Sequence, residues 1–98
     1  NRMSQLRKEY LITYDIVQNK KRNNFFNILK NFGLISIQKS VFWGEMSHSE
    51  KLAVIREAEN LFKQEDKLVI TEVNFTQQKM TAIGYSENQF QINDYEFI

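Results

Sequence analysis

The spacing of apolar residues changes from one segment of this chain to the next, and the order of those changes restricts the fold more than any other feature. In residues 10–16 (YLITYDI), successive side chains alternate between two faces, which indicates a strand. Apolar residues then recur at helical spacing from Phe25 to Phe32, and Gly33 follows where glycine commonly closes a last turn. The sequence therefore predicts a strand, a polar connection over residues 18–22, and a helix that ends before Gly33.

The next segment predicts two further strand pieces and a second helix. Residues 34–46 (LISIQKSVFWGEM) are dense in β-branched and aromatic side chains, which favours two short strands or one kinked ribbon around Lys39 and Ser40. Ser47 and Glu50 match a capping box, so a helix is expected to begin there. The residues that recur at helical spacing in this helix are Leu52, Ile55, Ala58, Glu59 and Phe62, with Leu61 beside them.

The last third of the chain adds more strands. Residues 67–75 (KLVITEVNF) alternate in character, and residues 80–85 (MTAIGY) form a weaker strand candidate. The order β, α, β, β, α, β with an extra strand indicates an α+β, ferredoxin-like fold with two helices on one face of an antiparallel sheet. Because the strands carry apolar residues in both registers, the second face should also be covered, and a second copy of the chain is the predicted cover.

These elements predict one domain over residues 1–98, with its core at about residues 10–85. Residues 1–9 are interpreted as a leader. The tail, residues 86–98, is both acidic and aromatic, and it is expected either to dock on the partner subunit or to fray.

Composition excludes several kinds of chemistry. The chain has no cysteine, which excludes disulfides, thiolate zinc sites and cysteine nucleophiles and fits a reducing cytoplasm. Its one histidine excludes a histidine-rich metal site. No apolar run approaches the roughly 18 to 20 residues of a membrane span, so the sequence predicts a soluble cytoplasmic protein.

Charge is unevenly distributed, although the net charge is only +1. Residues 1–49 hold eight Lys or Arg and three acids, whereas residues 50–98 hold five and nine, so the halves carry +5 and −4. Since fields act locally, a basic face can still attract phosphate. The residues predicted to bind nucleic acid are three cations at the start of the first helix, which oppose its dipole, and two polar residues of the ribbon: Lys20, Lys21, Arg22, Gln38 and Lys39.

Asp15 is the candidate reactive residue, because it closes a strand that otherwise looks suited to burial. In one interpretation it pairs with a cation at the start of the following helix or caps the loop before it. In the other, two copies of Asp15 meet at the axis of a symmetric dimer and bind a divalent cation between them. Carboxylate oxygens suit Mg²⁺ or Mn²⁺, which would polarise a phosphoryl group and activate water for phosphodiester hydrolysis.

Several segments together resemble the CRISPR-associated Cas-two family. They are LITYDI, Arg22 seven positions after Asp15, the helix ending at Gly33, IQKSVFWGEM and EDKLVI, and the match runs from about Tyr10 to Phe75. The resemblance implies a ferredoxin-like homodimer in which a final strand extends the partner's sheet. It also implies a metal-dependent endonuclease on single-stranded RNA or duplex DNA, with Asp15 at the dimer axis. Members of the family also bridge two dimers of the CRISPR integrase during spacer acquisition.

By position, the resemblance adds Arg22, Ser40 and Phe42 as secondary site candidates, so the predicted catalytic residues are Asp15, Ser40 and Phe42. From the residues alone, Phe42 is interpreted as core or interface. Lys39 and Trp43 depart from the family pattern. Two alternatives stay open: a non-catalytic DNA-binding scaffold that bridges integrase dimers, and a toxin-type ribonuclease of the same fold.

Overall fold

The structure, a computed structural model, describes residues 6–78, 80–86 and the backbone of residues 95–97. Its elements follow the predicted order. They are β1 (Arg7–Asp15), α1 (Asn19–Asn31), β2 (Ile35–Gln38), β3 (Val41–Ser47), α2 (His48–Leu61), β4 (Lys67–Glu72), β5 (Met80–Ala82) and β6 (Tyr95–Phe97).

The main sheet has four strands in the order β2-β3-β1-β4, and all of the neighbouring pairs are antiparallel. Together with two helices that pack on one face, this order confirms the predicted ferredoxin-like fold. β5 pairs in parallel with β6 in a separate two-stranded sheet. The predicted tail falls mostly outside the described residues, and its described part, Tyr95–Phe97, pairs with β5 of the same chain.

The helix-facing side of the sheet contains the main core. The alternate residues Tyr10, Ile12 and Tyr14 of β1 are buried against α1 and α2, as their period of two predicts. In α2, however, Val54 is fully buried and Leu52 is 40% exposed, so the predicted stripe was wrong at these two positions. The cause is the helical repeat: Val54 and Ala58 lie one turn apart on the face that meets the sheet, and Leu52 lies outside it.

Local signals in the sequence mark three boundaries correctly, whereas β1 begins at Arg7, inside the segment predicted to be a leader, and β4 and β5 end earlier than predicted, at Glu72 and Ala82. Gly33 has φ +83° and follows the last turn of α1. Lys39 and Ser40 form the turn between β2 and β3, where Ser40 has φ 63°. The capping box of α2 is complete, since Ser47 Oγ accepts from the Glu50 amide at 3.2 Å and Glu50 Oε1 accepts from the Ser47 amide at 2.9 Å. Such a cap stabilises a helix by about 1 kcal/mol.

The second face of the sheet is partly covered by the chain itself. Trp43 packs there with Ala82, and the partly buried side chains of this cluster include Leu11, Ile35, Ile37, Val73, Phe75, Met80 and Tyr85. Residues 73–78 and 80–85 thus cover one end of this face, and a second copy of the chain stays the predicted cover for the rest of it.

A buried carboxylate anchors this covering segment. Glu9 is 8% exposed, and its side chain accepts from Trp43 Nε1 at 3.2 Å and from the Phe75 amide at 2.9 Å. It also accepts from the amide and the hydroxyl of Thr76. These bonds fix where the chain turns back after β4.

Within the described residues, no helix is both long enough and apolar enough to cross a membrane.

Candidate functional site

Four elements meet at one end of the sheet, which we call the Asp15 end. Asp15 closes β1, and because β3 and β4 run antiparallel to β1, the turn before β3 and the first residue of β4 lie at the same end. The Tyr14 amide donates to the Ser40 carbonyl oxygen at 3.1 Å, which joins that turn to β1. α1 begins after a short loop, so its first turn also lies near Asp15.

Asp15 itself is exposed, and its side chain points to the face opposite the helices, since Tyr14 before it points into the core. Its register partner on β4 is Lys67. In residues 6–78 and 80–86 the Asp15 carboxylate forms no ion pair. The interpretation in which Asp15 pairs with a cation of the first helix therefore receives no support from the described side chains.

Asp66 instead takes the cation that was expected near Asp15. The Lys21 ammonium donates to Asp66 Oδ2 at 2.7 Å, and the exposed fractions of the two side chains are 14% and 0%. Asp66 also accepts from the Lys63 amide at 2.8 Å and from the Val17 amide at 3.0 Å. The bond from Lys21, followed by the two amide bonds, lowers the pKa of Asp66 to about 2.

These bonds correct the predicted role of Lys21. The anion that compensates its charge at the start of α1 is an internal carboxylate, so Lys21 is not a free phosphate contact. Asp66 joins the loop after Asp15 to the turn before β4, and we call these paired residues, Lys21 and Asp66, the internal clamp.

Arg22 also forms hydrogen bonds within its own chain. Its guanidinium donates to Asn19 Oδ1, at 2.7 Å from Nη1, and Nε lies 3.4 Å from the Ile16 carbonyl oxygen. Burial raises the pKa of the Tyr14 phenol, against the opposing effects of a hydrogen bond with Ser40 and the charge of Arg22. Tyr14 therefore stays protonated near neutral pH.

Ser40 and Phe42 do not join Asp15 on its face of the sheet. Ser40 contacts Tyr14, which faces the core. Phe42 is fully buried, and its ring stacks with Tyr14 at 6.3 Å between centroids and meets Phe26 edge-on at 5.2 Å. Phe42 can thus affect Asp15 only through packing, and a catalytic contact by Phe42 is not supported by this arrangement.

Three of the residues predicted to bind nucleic acid are exposed at the Asp15 end and can contact a ligand there: Lys20, Gln38 and Lys39. The sequence interpretation did not identify Lys67 or Asp66 as part of this region. The signal was present in the segment EDKLVI, because the start of a strand antiparallel to β1 must lie opposite the end of β1.

A divalent cation was predicted at Asp15, and the donor chemistry can be compared with that prediction. Among the described residues, no group of three or more His, Cys, Asp or Glu side chains could hold a metal ion. Mg²⁺, however, is commonly held by one or two carboxylates together with water and substrate phosphates. The exposed Asp15 carboxylate fits that type of site, and in a symmetric dimer the second carboxylate would be Asp15 of the other copy.

Comparisons with known proteins identify the family. The family described as CRISPR associated protein Cas2 matches residues 8–81. A protein of Francisella tularensis subsp. novicida named CRISPR-associated endoribonuclease Cas2 1 is 45% identical over 87 residues, which cover 88% of this chain and 90% of that protein. A CRISPR-associated endoribonuclease Cas2 of Desulforudis audaxviator is 34% identical over 64 residues, which cover 64% of this chain and 60% of that protein.

Solved structures have the same fold. A crystal structure of a protein described as cas2 aligns with a TM-score of 0.67 at 22% identity, covering 85% of this chain and 93% of its own. A hypothetical protein from Thermus thermophilus aligns with a TM-score of 0.66 at 28% identity, covering 70% and 84%. The family match extends from β1 into β5, and on this evidence the chain belongs to the Cas2 family of CRISPR-associated proteins.

Proposed function

We propose that this chain is a metal-dependent endoribonuclease of CRISPR adaptation and that it acts as a homodimer in the cytoplasm. The observation that carries the proposal is the Asp15 carboxylate, which is exposed at the end of the central part of the sheet and forms no ion pair within the described residues. The relatives named endoribonuclease support cleavage of RNA as the reaction.

A second copy of the chain would cover the part of the sheet that residues 73–78 and 80–85 leave open. On the face that carries Asp15, the side chains of Thr13 and Val41 are half-buried and Val69 is 58% exposed. This surface continues from Asp15 across β1 and its two neighbours. Two copies related by a two-fold axis through this surface would bring their Asp15 residues together.

Each residue at the Asp15 end has a distinct part in the proposed reaction. The two Asp15 carboxylates would hold Mg²⁺ or Mn²⁺, which when bound polarises the phosphoryl group and supplies an activated water. The exposed Lys20 and Lys39 attract the RNA backbone, and Gln38 can donate to a phosphate oxygen. The internal clamp keeps the loop after Asp15 in place.

Removal of divalent metal is expected to stop cleavage. Wild-type protein incubated with end-labelled single-stranded RNA should cleave it with Mg²⁺ or Mn²⁺, and an excess of EDTA should abolish the cleavage, because in the proposed reaction the metal polarises the phosphoryl group and supplies the activated water. Excess Mg²⁺ added afterwards should restore it. Cleavage that continues in EDTA would contradict the proposed function. Duplex DNA assayed in parallel tests whether the reaction extends to DNA.

A DNA-binding scaffold for the CRISPR integrase is the second candidate function, and the exposed cations at the Asp15 end favour it. Exchange of Lys20 and Lys39 for Glu should weaken duplex DNA binding and flatten its salt dependence, since phosphate contacts release counterions. The matched control exchanges the exposed Lys30 and Arg56 for Glu, which changes the net charge equally. Equal losses in both variants, measured by fluorescence anisotropy, would mean that the Asp15 end has no special role in DNA binding.

A further inference from the structure

Lys67 lies beside Asp15 at the same end of the sheet. The two residues are register partners on antiparallel neighbours, and directly opposed side chains share one face of a sheet with Cβ atoms about 4.5–5.5 Å apart. Both side chains are exposed. A cation and a carboxylate therefore share the open corner of the sheet, on the face that the two helices leave free.

The Lys67 side chain differs from that of Lys21 in its surroundings. Among the side chains of residues 6–78 and 80–86, none forms an ion pair with Lys67. Lys21, by comparison, is enclosed and held by Asp66 at 2.7 Å. The two lysines thus differ in kind, since one is part of the internal clamp and the other presents its charge to solvent.

The backbone that carries Lys67 is nevertheless fixed relative to Asp15. Asp66, immediately before Lys67, accepts from the Val17 amide at 3.0 Å, and Val17 lies two residues after Asp15. The strand pairing fixes the same two segments from the other side. The Lys67 ammonium is thus flexible, but the backbone that carries it is fixed beside the Asp15 carboxylate. Such an ammonium can bind an anionic ligand that the carboxylate alone would repel.

An RNA phosphate is such a ligand. A phosphate that approaches Asp15 meets a like charge, and a lysine at this distance compensates that repulsion as a compact point charge with three donors. We propose that the Lys67 ammonium binds an RNA phosphate next to Asp15. This inference rests on the proposed ribonuclease function and adds to it a residue that touches the substrate.

Binding of RNA without metal tests the proposal. A labelled single-stranded RNA is titrated in EDTA at several salt concentrations with wild-type protein, Lys67→Gln and Lys67→Arg. Lys67→Gln should bind about tenfold more weakly at low salt, and the slope of log affinity against log salt should fall by about one. Lys67→Arg should retain the slope, because the charge is kept.

Lys30→Gln is the matched control. α1 runs from the Asp15 end back toward the opposite end of the sheet, so the exposed Lys30 in its last turn lies away from Asp15. Its removal should leave the slope close to that of wild type. Equal effects in Lys30→Gln and Lys67→Gln would overturn the proposal, because they would reflect net charge only.

A lysine on an edge strand can also hinder association between sheets, and the experiment separates that role. Lys67→Gln with an unchanged slope but a changed mass by light scattering would overturn phosphate binding by Lys67. A failure of the ribonuclease proposal can be told apart from a failure of this one. In that case wild-type protein would not cleave RNA in the presence of metal. The fall in slope for Lys67→Gln would still support Lys67 as a phosphate contact.

Discussion

Asp15→Ala is expected to reduce metal-dependent RNA cleavage by more than about 100-fold. Asp15 is the exposed carboxylate at the end of β1, and its removal leaves no acid at that position to bind the metal. The fold should be unaffected, since surface substitutions away from buried networks usually change stability by less than about 0.5 kcal/mol. The measurement is the initial rate of cleavage at saturating Mg²⁺, with thermal unfolding recorded for the same preparation.

Two further variants make this result specific. Asp15→Asn keeps the shape of the side chain and removes its charge, so it should lose activity to a similar extent. Glu72→Ala removes an exposed carboxylate from the other end of β4 and should retain full activity. Cleavage that persists in purified Asp15→Ala would mean that this carboxylate is not part of the reaction, or that a contaminating nuclease produces it, and a separate preparation distinguishes the two.

Mixing of subunits tests whether two copies share one site. Wild-type and Asp15→Ala chains are unfolded together and refolded at a series of ratios. If each site needs Asp15 from both copies, activity should follow the square of the wild-type fraction, because only dimers of two wild-type chains are active. If each Asp15 acts alone, activity should follow the fraction linearly. A linear dependence would refute the shared site without refuting the role of Asp15.

The fold could be predicted because the signals that define its helices and strands lie among residues close together in the sequence. Alternation in residues 10–16, the glycine after α1 and the capping box at Ser47 each depend on neighbours in sequence, and all three agree with the structure. Their order then leaves few topologies, since connections are short and sequential elements lie close together. Spacing alone did not identify the buried side of α2, because apolar residues occur on more than one side of that helix. Tertiary packing decides which of them are buried.

The site was only partly predictable because its decisive contacts join distant segments. Asp15 was found from its place at the end of a strand, but the partner of Lys21 is 45 residues away, in a turn that looks like ordinary polar sequence. Likewise, Glu9 is held by amides 66 and 67 residues later, and nothing near Glu9 in sequence indicates its burial. Both contacts follow from which loops the sheet brings together, so they require the topology and the register.

Asp66→Asn is expected to destabilise the protein strongly, with a fall in melting temperature of about 8 °C or more. The enclosed Asp66 carboxylate accepts from the Lys21 ammonium and from the amides of Val17 and Lys63. An Asn side chain keeps one acceptor oxygen and turns an NH₂ group toward the remaining donors, so it loses the charge pair with Lys21 and cannot accept from all three donors. Glu65→Gln, at the exposed neighbouring position, should leave the melting temperature unchanged.

The dependence on pH identifies the charge of Asp66 as the cause. Its pKa in the folded protein is about 2, below the ordinary value of 3.8, so the folded state favours the ionised form. A carboxylate with a lowered folded pKa stabilises the protein at pH values above its unfolded pKa and loses that contribution as pH falls toward its folded pKa. The difference in melting temperature between wild type and Asp66→Asn should therefore be constant from about pH 7 to 5 and shrink as pH falls through 4 toward 2. If the difference persists unchanged at pH 2.5, the loss comes from packing in the variant rather than from the charge of Asp66, and the internal clamp is not held by ionisation.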